Sequence, residues 1–405
     1  MISGCTSTTN TEKKVEVESI VVDELEDEEY ITHSVKDSYQ SFYKGIIGTQ
    51  SAALCLRKYG GSLLRGSFYN IDDSEPHILD GEIKYFYENN SSHLEREPWG
   101  EQYDLSDINK NETDALKKGA KFQVLRLEQT EQYFKQNPNH KRTEFIGRFV
   151  QDSLYEGYLY RGNDTIPFRF LIEKDDDFLK TQLIERNYTI SEDGNISVSN
   201  SDKYNAYISL EHIESTRDSL KFISKEIEKL MLYDSSMNEL TFKTIDKAKN
   251  KYLNFGFAPS VTEKKFTWGR IRDAIVIYRS NNFIGFLMSD VLSNGRNRTN
   301  TKYSLHCFDL VNKKKITYLD VFKPNTQSDI LSSLQKKYGQ SYLENVKYLS
   351  YYDFITTQKG IYFCYDSRLG WGAPSAGYFP EQVFLSYNEV KNIMNPTFKI
   401  DFIQD

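Results

Sequence analysis

The sequence predicts an α+β protein in which antiparallel β-sheet dominates and a few helices pack against it. Three observations favour this class. The 405 residues include 29 Tyr and 25 Phe, whose flat rings pack well across neighbouring strands. Short apolar runs are interrupted by Gly and Asp, as in hairpins. Between Ile213 and Met231 the apolar residues recur mostly three, four or seven positions apart, which is typical of an amphipathic helix.

The length indicates two folded domains, at roughly 100–200 residues per domain. Residues 36–200 are predicted to form a β-rich N-terminal domain, an antiparallel meander or barrel in which glycines lie beside aromatic residues. Residues 88–140 are polar and are predicted to carry long loops. The Ser/Asn/Asp-rich residues 191–205 mark the boundary, and residues 205–405 form the second domain. Three helices are predicted within it, at residues 211–232, 242–253 and 328–338.

Charge argues against nucleic-acid binding. The 58 acidic residues outnumber the 51 basic ones, for a formal net charge of −7, whereas nucleic-acid binding usually needs a basic face. No run approaches the ~18–20 apolar residues of a membrane-spanning helix.

The N-terminal residues resemble the lipobox of bacterial lipoproteins. Ile2, two small residues and Cys5 stand before a Ser/Thr stretch and the acidic residues 12–29. The resemblance implies a lipid on Cys5 and residues 1–35 as a disordered tether, extended by like-charge repulsion. The expected location is the cell envelope, at the outer membrane or on the periplasmic face. The alternative is an ordinary cysteine in a disordered cytoplasmic segment.

The C-terminal part carries a second resemblance. Residues 303–310 and 313–317 read as two strands around a turn, and residues 318–322 as the start of a helix. The small-residue loop 372–378 and the run 383–390 follow. This order resembles the extracellular domain of RsiV anti-sigma factors, which also occurs in PdaC-type peptidoglycan deacetylases. The similarity covers about residues 240–405.

The resemblance implies a non-catalytic binding or sensing module. Relatives are tied to lysozyme sensing and peptidoglycan modification, so peptidoglycan or a lysozyme-like (muramidase-like) protein is the expected partner, beside the membrane itself. Trp371 lies between two glycines and is a candidate for stacking on a sugar or anchoring a partner. Arg368 and Tyr378 lie close by in the sequence. The alternative is that Trp371 closes the end of the sheet.

No motif predicts catalysis, a metal site or a cofactor. The six histidines form no HxH, HxxxH or HExxH pair, and neither a GxSxG turn nor a P-loop occurs. His306 and Cys307 are adjacent in a strand and should point to opposite faces. Cys307 and Cys364 either pair or remain buried thiols. Two other functions stay open: an envelope hydrolase acting on cell-wall glycan, with a site formed only in three dimensions, and a structural partner in a lipoprotein complex.

Overall fold

The computed structural model describes most of the two predicted domains. The described residues are 39–58, 63–86, 122–129, 143–150, 154–173, 179–191, 195–199, 205–215, 217–232, 240–253, 268–293, 299–339, 349–365 and 381–398. Within these ranges, no helix is both long and apolar enough to cross a membrane.

Eight antiparallel strands form a closed barrel in sequence order. They are β1 Tyr39–Ile47, β2 Gln50–Lys58, β3 Leu63–Asn70, β4 His77–Phe86, β5 Phe122–Gln129, β6 Thr143–Val150, β7 Leu154–Arg161 and β8 Asp164–Ile172. Alternate side chains point inward and fill the barrel with an aromatic-rich core. That core includes Tyr43, Phe68, Phe145, Tyr155, Phe168 and Phe170.

Close backbone contact at Gly45 lets β1 meet β8 and close the barrel. Gly45 lies opposite Phe170 of β8 and Ala52 of β2. A Cβ atom at this position would lie 1.9 Å from the carbonyl oxygen of Arg169 and 2.7 Å from the Cα atom of Phe170. Only glycine fits such a contact, which explains a Gly–aromatic neighbourhood in the sequence.

A seven-stranded sheet follows in the order β10-β9-β11-β12-β13-β14-β15. Its strands are β9 Lys180–Ile190, β10 Ile196–Val198, β11 Ala206–Glu214, β12 Trp268–Arg279, β13 Phe283–Ser293, β14 Thr299–Asp309 and β15 Lys314–Lys315. Among the strands described here, β11 and β12 form the one parallel pair. The connection between them carries α1 Lys221–Met231 and α2 Phe242–Tyr252, as a parallel crossover requires.

Both helices bury one face and end against β12. Ile223, Ile227 and Met231 place the apolar stripe of α1 in the main core, and Phe222 meets Phe308 edge to face. At the helix ends, Arg272 donates a hydrogen bond to the carbonyl oxygen of Met231, and Arg270 donates one to that of Tyr252. These guanidinium groups satisfy carbonyls that a helix C-terminus leaves without intrahelical partners.

A three-stranded antiparallel sheet completes the fold. It consists of β16 Leu349–Thr356, β17 Gly360–Tyr365 and β18 Glu381–Ser386. The short helices are α3 Tyr318–Val321, α4 Gln327–Tyr338 and α5 Tyr387–Val390. Ile355 packs on Gly285 of the larger sheet, and Tyr338 exchanges hydrogen bonds with the backbone of Phe384. The two sheets and their helices therefore share one core.

The predicted α+β class, rich in antiparallel strands, is confirmed. The predicted helix over residues 211–232 is wrong in its first part, because β11 continues to Glu214 and α1 begins at Lys221. Pairing with β9 and β12 outweighs the helical spacing there. The predicted loop region 88–140 contains β5. Strands β9 and β10 belong to the larger sheet although they precede residue 205, and the division into domains stays a prediction.

Replacing Gly45 by Ala should destabilise the barrel. The added methyl group forces β1 and β8 apart, and overpacking of this kind costs about 1–3 kcal/mol. Chemical denaturation of the full chain measures the loss. Ser51→Ala, at an exposed position of the neighbouring strand, is the control and should stay within about 0.5 kcal/mol of the parent. Equal stability of both variants would contradict the closure described above.

Candidate functional site

The residues predicted from the sequence to bind a lipid or a ligand lie outside the described ranges. These residues are Cys5, Arg368, Trp371 and Tyr378. The strands that flank residues 366–380 are described, and Tyr365 pairs with Glu381. The end of β17 and the start of β18 therefore lie at the same end of the three-stranded sheet.

The described structure brings a different set of residues together, where the barrel meets β12. The pairing of β11 with β12 extends only to Leu210 and Arg272, so beyond that point β12 pairs with β13 alone. The residues from Ala274 to Tyr278 are nevertheless buried in a core that also contains Phe42, Cys55 and Tyr69 from the outer face of the barrel. Buried amide and carbonyl groups need hydrogen-bond partners.

Barrel side chains supply those partners. Gln40 donates to the carbonyl oxygen of Ala274 over 2.7 Å and accepts from the amide of Val276 over 2.8 Å. Ser67 donates to the carbonyl oxygen of Ile277. Tyr69 donates to the carbonyl oxygen of Arg279 and accepts from its amide. The outer face of β1 and β3 thus takes the place of a neighbouring strand.

A buried charge cluster lies beside these contacts. Arg57 Nε lies 2.9 Å from Glu211 Oε1, and the two side chains are 1% and 0% exposed. The second oxygen, Glu211 Oε2, accepts from the amide of Ala274 over 2.7 Å. Asp273, also buried, accepts a hydrogen bond from Ser289. The cluster therefore joins β2 of the barrel to β11, β12 and β13 of the sheet.

Burial dominates the electrostatics of this cluster. Removal of Glu211 from water raises the pKa of its carboxyl to about 7, and Asp273 raises that pKa while Arg57 lowers it. Perturbed carboxyl groups often mark functional sites. Here Arg57, Glu211 and Asp273 are buried and cannot contact a ligand in solution. The cluster can therefore hold the barrel on the sheet, and Glu211 can bind or release a proton.

The other reactive side chains are held in structural contacts. Cys55 and Cys307 are buried free thiols, and burial raises the pKa of Cys307 to about 11. Cys307 Sγ lies 3.2 Å from Thr356 Oγ1, and His306 Nε2 lies 2.9 Å from Ser304 Oγ, so the two neighbours have separate partners. Cys307 therefore forms no disulfide, and Cys364 has no described side chain. In the part of the chain that the structure covers, no cluster of three His, Cys, Asp or Glu residues could hold a metal ion.

The outer face of the barrel carries an exposed apolar surface. Its members lie on three paired strands, β7, β8 and β1, and we call them the barrel patch. They are the apolar residues Ile46, Tyr158, Pro167 and Leu171, together with the charged residue Arg169 that lies among them on β8. Tyr158 pairs with Pro167, and Arg169 pairs with Ile46. Tyr158 is 52% exposed and Leu171 55%. Exposed apolar groups in one patch are typical of contact surfaces.

Comparison with known proteins gives structural neighbours only. No family model matches the chain, and no curated protein matches it. A crystal structure of a member of the DUF3298 family from Bacteroides fragilis NCTC 9343 is similar, at 13% identity and a TM-score of 0.39, over 57% of this chain and 99% of that one. A DUF3298 family protein from Pseudomonas aeruginosa PAO1 is similar at 13% identity and a TM-score of 0.36, over 55% and 97% of the two chains.

Sequence reasoning missed both of these regions. The one local signal for the charge cluster is a charged residue in an apolar run: Arg57 follows residues 52–56, and Glu211 follows residues 206–210. The sequence pattern instead predicts that Glu211 begins a helix. An acidic residue is common at the start of a helix and gives no sign of a buried ion pair. The barrel patch combines residues from three strands, and its members are too far apart in the sequence to form a motif.

Replacing Gln40 by Ala should weaken the contact between the barrel and β12. The change leaves the carbonyl oxygen of Ala274 and the amide of Val276 buried without the partners described above. Each such group costs about 1–3 kcal/mol, so we expect a loss of about 3 kcal/mol in urea denaturation. Gln50→Ala, at an exposed glutamine of β2, is the matched control. A Gln40 variant as stable as this control would show that the contact contributes little.

Proposed function

We propose that this protein is a non-catalytic binding module of the bacterial cell envelope that contacts peptidoglycan through the barrel patch. A lipid on Cys5 would hold it at the membrane, on the outer membrane or the periplasmic face. The single observation that carries the proposal is the exposure of Tyr158 beside Pro167 on the outer surface of the barrel.

The chemistry of the patch suits a glycan strand. Sugar rings present flat faces of C–H bonds edged by hydroxyl and amide groups. The Tyr158 ring offers an apolar face with a polar tip, and Pro167 extends that face. Arg169 and Glu156 occupy neighbouring outward positions and supply hydrogen-bond donors and acceptors for the sugar substituents.

The C-terminal sequence supports the same ligand class. Residues 303–322 fold as β14, β15 and α3, and residues 381–390 as β18 and α5, which is the order of elements expected from the RsiV-type resemblance. That resemblance implies peptidoglycan or a muramidase-like protein as partner. The patch chemistry favours the glycan, and binding to the protein instead is an outcome of the test.

Replacing Tyr158 by Ala should reduce retention of the full chain on purified peptidoglycan at least fivefold in a sedimentation assay, on the order of the ~1 kcal/mol of a lost aromatic contact. Val311→Ala is the matched control, since Val311 is 65% exposed and lies on a turn of the larger sheet. Trp371→Ala tests in parallel the residue predicted from the sequence.

The outcomes distinguish the possible binding sites and partners. If the Tyr158→Ala variant is no longer retained on peptidoglycan and the Val311→Ala variant is, the proposal is supported. Loss with Trp371→Ala alone moves the site to residues 366–380. Retention on immobilised lysozyme but not on peptidoglycan would replace the glycan by a muramidase-like protein. Retention on neither would overturn the proposal.

A further inference from the structure

We propose that the docking of the barrel on the larger sheet depends on one proton bound by Glu211 beside Arg57 and Asp273, and that release of this proton weakens the docking. The proposal concerns conformation and does not rest on the ligand proposed above.

The geometry places the cluster across the interface. Arg57 belongs to β2 of the barrel, whereas Glu211 and Asp273 lie on adjacent strands of the sheet. The carboxyl of Glu211 contacts both the barrel and the sheet. It pairs with Arg57 of the barrel and accepts a hydrogen bond from the amide of Ala274 of the sheet. A change in the charge of that carboxyl therefore acts directly on the contact between them.

The charged groups around Glu211 come from each element packed against it. The barrel contributes Arg57. Arg65 lies opposite Arg57 on the neighbouring strand β3, and Asp80 lies opposite Arg65 on β4. The sheet contributes Asp273, while Gln40 and Ser289 are the neutral polar neighbours. His212 and Glu228 pair on the opposite face of β11, 2.7 Å apart.

Charge balance among the described groups at the centre requires a proton. The Arg57 guanidinium lies 2.9 Å from Glu211, and the carboxylate of Asp273 is near enough to raise the pKa of Glu211. Glu211 and Asp273 are 0% and 4% exposed. With both carboxyls ionised, these three groups carry a net negative charge in a medium that solvates it poorly. One proton on Glu211 restores neutrality.

The direction of the pH effect follows from the raised pKa of Glu211. Burial holds the pKa of its carboxyl at about 7 in the docked state, against an ordinary value of 4.5. A group with a raised pKa contributes its full stabilisation below the ordinary value and loses it as the pH rises through the raised one. Docking should therefore weaken between pH 6 and pH 8, with the opening constant rising about tenfold.

Hydrogen exchange in the full chain measures the opening constant at the contact itself. The amides of Ala274 and Val276 donate to Glu211 and Gln40, so their protection reports docking. Rates measured at pH 6, 7 and 8 are divided by the intrinsic rates of unstructured amides. We expect protection at these two amides to fall about tenfold over this range, and protection within β17 to change much less.

Three variants separate the cluster from other titrating groups. Glu211→Gln should abolish the pH dependence, whatever its effect on absolute protection. Asp273→Asn should move the transition to more acidic pH, since the negative charge of Asp273 raises the pKa of Glu211. His212→Asn is the control and should retain the wild-type dependence, because His212, whose pKa is raised by its hydrogen bond with Glu228, lies on the other face of β11. Protection independent of pH in the wild type, or an unchanged dependence in Glu211→Gln, would overturn the proposal.

Discussion

The arrangement of the barrel and the larger sheet depends on the half of β12 that β11 does not cover, because the backbone polar groups of that half need partners. From Ala274 to Arg279 one side of β12 pairs with no strand among the described residues, yet Ala274 to Tyr278 lie in the core. An open strand edge is normally paired, covered or charged. Here Gln40, Ser67 and Tyr69 satisfy its polar groups one at a time. The docking is therefore specified in register by hydrogen bonds, and apolar contacts such as that of Tyr69 with Tyr278 fill the space between them.

The charge cluster adds specificity at a cost. Replacing a buried ion pair by apolar residues of similar volume is often neutral or stabilising, whereas removal of one partner costs about 3–5 kcal/mol. The ion pair between Arg57 and Glu211 is therefore weak evidence for the stability of the protein. They do penalise alternative dockings, since any shift along β12 would leave a buried charge uncompensated.

Much of the fold could be predicted from the sequence, because most strands are local runs with their own turn signals. The strand around Phe308 and the helix from Phe242 are examples. Local pattern failed at residues 211–214, where Ile208, Leu210 and Ile213 suit a helix or a buried strand equally, and pairing with β9 decides. The candidate sites were less predictable. Glu211 meets Arg57, and Ile46 lies opposite Arg169, only because of how the strands are ordered and docked, and no spacing in the sequence records that order.

The order of the chain has a consequence for its synthesis. Gln40 and Val276 are 236 residues apart, a separation that normally slows folding and leaves unpaired edges open to aggregation. The barrel strands, however, leave the ribosome first and close on themselves through neighbouring hairpins and one final β1–β8 pairing. When β12 emerges, the surface that covers it already exists. The N-terminal barrel can thus serve the C-terminal sheet as a built-in folding template, and a chain rearranged to place the barrel last would expose β12 for the whole of its synthesis.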